Sequence, residues 1–336
     1  MTRFLIFVVS FLIAGLPVQG ESAETKKPEA YSKRPEVRAF IRELVERHGF
    51  SQKELLFLFS RVHRADPVLQ AISMPAEKTR PWTEYRGMLV NDGRIAAGVA
   101  FWKANRSALE RAEREYGVPA EYIVAIIGVE TLYGRNVGRW RVIDALATLA
   151  FDYPPRADFF RDELVHYLLL ARDEGINVFS PRGSYAGAFG LPQFMPGSAR
   201  RYAVDFDGNG SIDLHRSAAD AVGSVANFLK SHGWRTGDEV LLEARVNGDG
   251  YRAYVTGLEP RASVAELARA GVEMAGPRER LAGEPAALIE LESPGQPSEY
   301  RVGLQNFYVL TRYNRSAFYA TAVSELAREI RKNLQP

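Results

Sequence analysis

The sequence predicts an α+β protein that is mostly α, with a small β-sheet late in the chain. Three observations predict this class. Apolar residues recur at helical spacing in many segments between residues 36 and 232. Glycine or proline stands at the ends of most of these segments, as at helix termini. After residue 240, β-branched and aromatic residues become more frequent in short segments separated by glycine and proline, which is typical of strands.

The helical segments are justified by their spacing and end signals. Ser51 with Glu54 predicts a capping box, and glycines at 49, 117, 134, 175 and 233 stand where helices should end. The predicted helices span residues 36–48, 51–62, 95–116, 119–133, 142–151, 157–174 and 218–232.

The late segment combines predicted strands with two helices. Ser263 and Glu266 cap one short helix, and a closing helix is predicted over residues 316–332. The candidate strand segments span residues 241–255, 287–291 and 300–310.

Composition excludes several classes of protein. The 336 residues are 46% hydrophobic, with Lys+Arg 43, Asp+Glu 41 and a net charge of +2. Disordered and collagen-like chains are excluded, and the length suggests two or three compact units. The net charge is too small to indicate nucleic-acid binding. Without cysteine there is no disulfide, thiolate metal site, cysteine nucleophile or lipidated cysteine, and the five histidines lack metal-ligand spacing.

The N-terminus predicts export. Arg3 precedes an apolar run over residues 4–16, Pro17 breaks it and Gly20 follows, so we expect a signal peptide over residues 1–20. The run is shorter than the roughly 20 residues that span a bilayer, and an uncleaved anchor is the alternative. Polar residues 21–34 predict a tether. We expect a protein that is not integral to the membrane after cleavage and, having no cysteine, is not a lipoprotein.

Glu130 is the candidate catalytic acid. Residues 122–129 are apolar all round, which predicts a buried helix. Helical spacing places Glu130 on one face with Ile123, Ile126, Ile127 and Tyr133. Burial favours the neutral carboxyl, so we expect a raised pKa. A neutral carboxylic acid near pH 7 can donate a proton to a glycosidic oxygen. From this pattern alone, a structural ion pair with Arg135 or Arg139 is an equally open interpretation.

Residues 128–134, Gly-Val-Glu-Thr-Leu-Tyr-Gly, resemble the catalytic helix end of the lysozyme-like lytic transglycosylases of the membrane-bound lytic murein transglycosylase B family. Four further segments resemble that family in its own order, at residues 143–151, 184–196, 223–228 and 306–314. The resemblance implies a lysozyme-like catalytic core over residues 96–240 with an EF-hand-like loop. It also implies an N-terminal helical region over 35–95, a small β domain over 241–308, and a cleft strand with a C-terminal helix over 309–336.

The resemblance implies a reaction at peptidoglycan glycan strands in the periplasm. The family cleaves the β-1,4 bond between N-acetylmuramic acid and N-acetylglucosamine without water, leaving a 1,6-anhydro ring. Most glycosidases use two carboxylates, whereas the resemblance implies that Glu130 alone acts as acid and then base. Asp144 and Asp152 are the nearest second carboxylates and are interpreted as a capping or surface residue and a turn residue. The alternatives are a hydrolytic muramidase and a non-catalytic peptidoglycan-binding protein; a calcium sensor is a weaker one.

The resemblance also implies a substrate cleft. Aromatic rings suit sugar faces, and other cell-wall enzymes are candidate partners. Phe228 stands where the family carries tyrosine, and Pro192 replaces a glycine. The implied cleft residues are Tyr85, Ser184, Gln193, Phe228, Tyr313, Asn314 and Tyr319.

Residues 205–213 predict a structural calcium loop, whereas no cofactor is expected for catalysis. Oxygen ligands stand at positions 1, 3 and 5, and Gly210 stands at position 6. Position 12 is Arg216 rather than glutamate, and an Asx-rich turn without metal is the alternative. A longer loop closed by a later aspartate is the form that the resemblance implies. The predicted ligands are Asp205, Asp207, Asn209, Asp220 and the backbone carbonyl of Ser211.

Overall fold

The structure is a computed structural model that describes residues 29–73, 80–275 and 278–334. The predicted signal peptide over residues 1–20 lies outside the described residues. Within them, no helix combines the length and the apolar character that crossing a bilayer requires.

Helices dominate the described chain, which confirms the α+β, mostly α class. The α-helices are α1 (Pro35–His48), α2 (Gln52–Phe59), α3 (Asp66–Ser73), α4 (Trp82–Leu89), α5 (Asp92–Ala104), α6 (Arg106–Tyr116), α7 (Ala120–Thr131), α8 (Val142–Asp152), α9 (Ala157–Asp173), α10 (Pro196–Tyr202), α11 (Ala218–Ser231), α12 (Val264–Arg269), α13 (Arg278–Leu281), α14 (Gln305–Tyr313) and α15 (Ala317–Leu334).

The strands form two antiparallel sheets. β1 and β2 make a two-stranded ribbon, and the other five strands make one sheet in the order β4-β6-β7-β3-β5. Leu242 pairs with Val302, and Val302 pairs with Leu288, so three buried side chains cross the centre of this sheet. The strands are β1 (Trp140–Arg141), β2 (Arg182–Gly183), β3 (Leu241–Val246), β4 (Ala262–Ser263), β5 (Val272–Met274), β6 (Pro285–Leu291) and β7 (Glu299–Gly303).

The described chain divides into two compact units. The first unit comprises the described residues of Ala76–Asn136 and Tyr202–Pro336, and therefore includes the five-stranded sheet. The second unit comprises those of Val9–Pro75 and Val137–Arg201. The domain boundaries predicted at residues 95, 240 and 308 stay predictions.

The first unit is built around α7. Its residues 123–127 are completely buried, as the apolar sequence predicted. α7 packs against α5, α6, α11 and α15, and α15 also packs against α4 and β6. A helix surrounded in this way gives its last turn a fixed environment, which matters because Glu130 lies there.

The second unit packs α8 against α9 and α3. Its N-terminal end corrects the last part of the predicted tether over residues 21–34, of which residues 21–28 lie outside the described residues. Tyr31 is buried and donates a hydrogen bond of 2.5 Å to Asp152 Oδ2, and Arg34 forms an ion pair of 2.9 Å with Asp152 Oδ1. The carboxylate that they contact lies more than a hundred residues away in the sequence, so these are tertiary contacts. The last residues of the segment are therefore part of the fold.

Several predicted boundaries were wrong, one at a local side-chain contact and one at a tertiary contact. The predicted helix 95–116 is two helices separated at Asn105, whose side-chain amide donates to the Phe101 carbonyl. The predicted strand 300–310 ends at Gly303, and α14 follows. There Asn306 bonds both the N–H and the carbonyl of Arg235, which fixes the start of the helix. The cleft strand predicted from residue 309 is consequently a helix.

Glu163 gives the second unit a pH-dependent stability. Burial raises its pKa to about 7 from 4.5, although Oε2 accepts a 2.8 Å hydrogen bond from the Gly197 N–H. Because the pKa of Glu163 is higher in the folded than in the unfolded state, proton binding to Glu163 stabilises the fold. This contribution to the free energy of unfolding is complete below pH 4.5 and is lost as the pH rises through about 7. We expect this group to lower the free energy of unfolding by about 3 kcal/mol between pH 4 and 8.

The substitution Glu163→Gln should remove that part of the pH dependence while keeping an acceptor for Gly197. Urea unfolding at several pH values measures it. Glu43→Gln, at an exposed carboxylate of α1, is the matched control and should leave the dependence as in the wild type. An unchanged pH dependence in Glu163→Gln would contradict the assignment.

Candidate active site

Glu130 is buried at the last turn of α7, with 7% of its surface exposed. Tyr319, in the first turn of α15, donates a hydrogen bond of 2.6 Å from its hydroxyl to Glu130 Oε1. This tyrosine is itself 1% exposed. Among the described residues neither Arg135 nor Arg139 forms an ion pair, so the open alternative of a structural pair with Glu130 is not supported. The partner is a neutral hydroxyl that can stabilise an anion without neutralising it.

An aromatic group surrounds this carboxylate. The rings of Tyr313 and Tyr319 stack with centroids 6.4 Å apart and planes 11° apart, and the Phe228 ring meets that of Tyr313 at 4.8 Å. Burial, followed by the charge of Glu130, raises the pKa of both tyrosines well above the usual range. Tyr85 adds to the effect on Tyr319. The structure thus brings together around the predicted acid four of the cleft residues that the resemblance implied.

Asn314 ends α14 and contributes an unusual polar group to the first unit. Its side chain is 3% exposed, and neither the amide nitrogen nor the amide oxygen has a hydrogen-bond partner among the described residues. Buried amides are ordinarily bonded, because leaving one unpaired costs free energy. A primary amide offers two donors and an acceptor, so this side chain can serve a ligand that presents both kinds of group.

Tyr133 fixes the turn after α7, a role that sequence reasoning missed. The structure corrects its predicted place on the face of Glu130, because α7 ends at Thr131 and Tyr133 has a φ of 60°. Its hydroxyl donates to the Arg94 carbonyl at 3.0 Å. A Cβ at Gly98 would lie 2.5 Å from that hydroxyl, and one at Gly128 would also collide with the ring. The isolated glycine inside an apolar helix was the signal for this packing.

The glycine-rich loop carries Ser184 and Gln193, which belong to the second unit. The Ser184 hydroxyl oxygen accepts from the N–H groups of Ala186 and Ala188, at 3.2 and 3.1 Å. The amide nitrogen of Gln193 donates to the carbonyls of Val137 and Gly190, at 3.1 and 2.9 Å. Both side chains therefore organise the loop. Gln193 does so with a φ of 49°, in the left-handed region.

The two other candidate carboxylates are held by partners in the second unit. Asp144 forms an ion pair of 2.6 Å with Arg141 and accepts the His63 N–H at 3.0 Å. Asp152 holds Arg34 and Tyr31, as described above. Asp152 is the last residue of α8 rather than the predicted turn residue, and both carboxylates are held by partners of the fold.

The predicted calcium loop brings three carboxylates together. Oxygens of Asp205, Asp207 and Asp220 all lie within 4.8 Å of one another. The backbone N–H of Gly210, with those of Gly208 and Asn209, lowers the pKa of Asp205. Oxygen donors of this kind suit a hard cation such as Ca²⁺.

The remaining polar groups of the loop are used internally. Asp220 is fully buried and accepts three backbone N–H groups, from Phe206, Asp207 and Asp213. Asn209 Oδ1 accepts from the N–H and the hydroxyl of Ser211, both at 2.9 Å. The oxygen ligands fit a cation, and backbone N–H groups already hold all three carboxylates in place, because Asp207 Oδ1 accepts the Asn209 N–H at 3.1 Å.

A buried carboxylate at a helix end, within a mostly helical fold, is the arrangement expected of a lysozyme-like lytic transglycosylase. Residues 32–328 match the family described as Transglycosylase SLT domain. The chain belongs to this family, and it is an enzyme of the lytic transglycosylase class. The predicted resemblance and the lysozyme-like fold are confirmed.

Three relatives illustrate the similarity. The chain is 41% identical over 310 residues to membrane-bound lytic murein transglycosylase B of Escherichia coli (strain K12), covering 89% of this chain and 84% of that protein. It resembles the crystal structure of soluble lytic transglycosylase SltB1 from Pseudomonas aeruginosa, at 50% identity and a TM-score of 0.84 over 89% and 99% of the two chains. It also resembles the E. coli lytic transglycosylase Slt35 in complex with calcium, at 40% identity and a TM-score of 0.82 over 90% and 94%.

Proposed function

We propose that this enzyme cleaves murein between N-acetylmuramic acid and N-acetylglucosamine without water, and that Glu130 is its single acid and base. The observation that carries the proposal is the buried hydrogen bond of 2.6 Å between the Tyr319 hydroxyl and Glu130. Burial supports a carboxyl group that keeps its proton in an apolar environment. The Tyr319 hydroxyl supports the carboxylate that forms when this proton is given up, because it is already placed to donate a hydrogen bond to it.

The proposed reaction returns Glu130 to its starting state. Its carboxyl proton passes to the glycosidic oxygen as the bond from that oxygen to C1 breaks, while the acetamido oxygen of the muramyl residue stabilises the positive charge at C1. The resulting carboxylate then removes the proton from the muramyl C6 hydroxyl, whose oxygen bonds to C1 and closes the 1,6-anhydro ring. No water is consumed.

The alternative of a hydrolytic muramidase differs only in the nucleophile. A second carboxylate to activate water is the usual inverting arrangement, and the ion pairs of Asp144 and Asp152 make both poor candidates for that role. Family membership argues against the alternative of a non-catalytic binding protein.

Asn314 and the aromatic group are proposed to bind the glycan in the first unit. The unpartnered amide of Asn314 suits an acetamido group, which also presents a donor and an acceptor. Tyr85, Tyr313 and Phe228 offer ring faces to sugars, although Phe228 provides no hydroxyl. Ser184 and Gln193 are proposed to hold their loop in a fixed conformation for glycan binding. The remaining polar atoms of that loop are proposed to form hydrogen bonds with the glycan.

Two further properties are proposed, the location of the enzyme and a structural calcium site. The predicted N-terminal export signal and the murein substrate support a periplasmic location for the enzyme. The loop of Asp205, Asp207, Asn209, Ser211 and Asp220 is proposed to bind a structural Ca²⁺, supported by the carboxylate cluster and by the calcium complex of a relative.

Replacing Glu130 by glutamine should reduce cleavage by about 10²–10⁴-fold, because the amide can neither give nor take the proton. Digestion of purified murein sacculi, followed by mass spectrometry of the product ends, measures rate and chemistry together. Wild type should yield 1,6-anhydromuramyl ends. Reducing ends would favour the muramidase, and full activity of Glu130→Gln would contradict the single-acid mechanism.

Replacing Tyr319 by phenylalanine should move the alkaline limb of the pH–rate profile to higher pH. The lost hydrogen bond stabilises the ionised carboxylate, so Glu130 should remain protonated to a higher pH in the variant. The rate of anhydro-end formation as a function of pH measures this. Tyr308→Phe, at another tyrosine of the first unit, is the control and should keep the wild-type profile. A profile in Tyr319→Phe that falls in rate without moving would contradict the role.

Calcium should raise the melting temperature of the wild type. Binding to the folded state at a hundred times its Kd contributes about 2.7 kcal/mol, which for a protein of this size is a shift of several degrees. Thermal melts with calcium and with a chelator measure it. Asp207→Asn should lose most of the shift, whereas Asp249→Asn, at an exposed aspartate of the same unit, should retain it. Equal melting with and without calcium would contradict the site.

A further inference from the structure

Three arginines lie in or next to the β1–β2 ribbon of the second unit, and they differ in whether a carboxylate neutralises their charge. Arg141 lies opposite Arg182 in the register and is neutralised by Asp144 at 2.6 Å. Arg139 and Arg182 are exposed, and within the described residues neither guanidinium has a carboxylate within 4.0 Å. The chain as a whole has nearly balanced charge, so two adjacent uncompensated arginines are a local excess of positive charge.

Both guanidinium groups are held in place by neutral contacts. The Arg139 guanidinium lies over the ring of the half-buried Trp140, 4.4 Å from its centroid. Arg182 donates from Nη1 to the Arg139 carbonyl at 2.7 Å. Such contacts restrict the side chains without satisfying their charge, which lowers the entropy cost of binding an anion.

The ribbon adjoins the glycine-rich loop inside the same unit. Ser184 directly follows β2, and the Gln193 amide bonds the Val137 carbonyl, two residues before Arg139. Gly138 has a φ of 99°, and its backbone lies so close to that of Gly183 that a Cβ at residue 138 would collide with the Gly183 carbonyl. A glycine at residue 138 therefore lets the segment before Arg139 pack against the end of β2. The two arginines are therefore fixed to the loop that is proposed to line the glycan cleft.

We propose that Arg139 and Arg182 form a binding site for the carboxylates of the stem peptide attached to the muramyl residue. The planar guanidinium matches a carboxylate with two parallel hydrogen bonds. In peptidoglycan the stem peptide branches from the muramyl sugar and carries free carboxylates, so an anion accompanies the glycan wherever the cleft binds it. This inference rests on the proposed function, because it requires the cleft to bind murein.

Binding of intact strands to the Glu130→Gln background tests the site without cleavage. The probes are soluble glycan strands carrying stem peptides, in native form and after carbodiimide-driven amidation of the peptide carboxylates with ammonia. The background should bind native strands about tenfold more tightly than amidated ones. Adding Arg139→Gln and Arg182→Gln should bring the ratio of the two Kd values to about one, with binding of amidated strands unchanged.

Two further variants test whether the binding ratio is specific to these two arginines and whether it needs the guanidinium group as well as the positive charge. Arg47→Gln, at an exposed arginine of α1, should keep the tenfold ratio. Arg139→Lys with Arg182→Lys should keep only part of it, because the ammonium lacks the planar pair of donors.

Three results would overturn the site: equal binding of both probes by the background, a ratio that survives the double glutamine variant, or equal weakening of both probes by it. Failure of the proposed function has a separate signature, the lack of anhydro ends in wild-type digests, and leaves the binding ratio readable.

Discussion

The hydrogen bond between the Tyr319 hydroxyl and the Glu130 carboxylate is the contact on which the rest of the structure depends. It joins residues 189 positions apart and links the end of α7 to the start of α15. An ionised carboxylate in this environment, without a donor, would be costly. A cationic partner such as arginine would hold it ionised and unable to act as an acid. A buried hydroxyl avoids both outcomes, and the packing of α7 against α15 places it.

Backbone strain is concentrated in the turn after Glu130 and in the glycine-rich loop. Within the described residues, the non-glycine positions with positive φ are Leu132, Tyr133 and Gln193. The first two follow the proposed acid and the third lies in the glycine-rich loop. Such conformations persist only when surrounding contacts determine them. Here the Tyr133 hydroxyl bonds the Arg94 carbonyl, and the Gln193 amide bonds two carbonyls of its own unit.

Polar residues that look alike in the sequence divide into two roles. The hydroxyl of Ser184 and the amide nitrogen of Gln193 bond their own backbone, so the loop is organised before a ligand arrives. The amide of Asn314 is equally buried but has no partner among the described residues. A loop that is organised before a ligand arrives lowers the entropy cost of binding, and a buried amide with both donors and an acceptor offers hydrogen bonds to a ligand. Asp205 and Asp220 of the predicted calcium loop both have the first of these roles, because backbone N–H groups position both carboxylates.

The sequence alone determined what local pattern encodes. The apolar run before Glu130 required a buried helix with an acid at its end, and the spacing of Asp205 and Asp207 required a tight turn rich in oxygen, because neighbours within four residues create these signals. Only the tertiary structure decided that Tyr319 would meet Glu130, that Tyr31 and Arg34 would pack on Asp152 instead of forming a tether, and that residues 305–313 would be helical. Those outcomes depend on which distant elements come into contact, and a residue's own neighbours carry no information about its partner more than a hundred positions away.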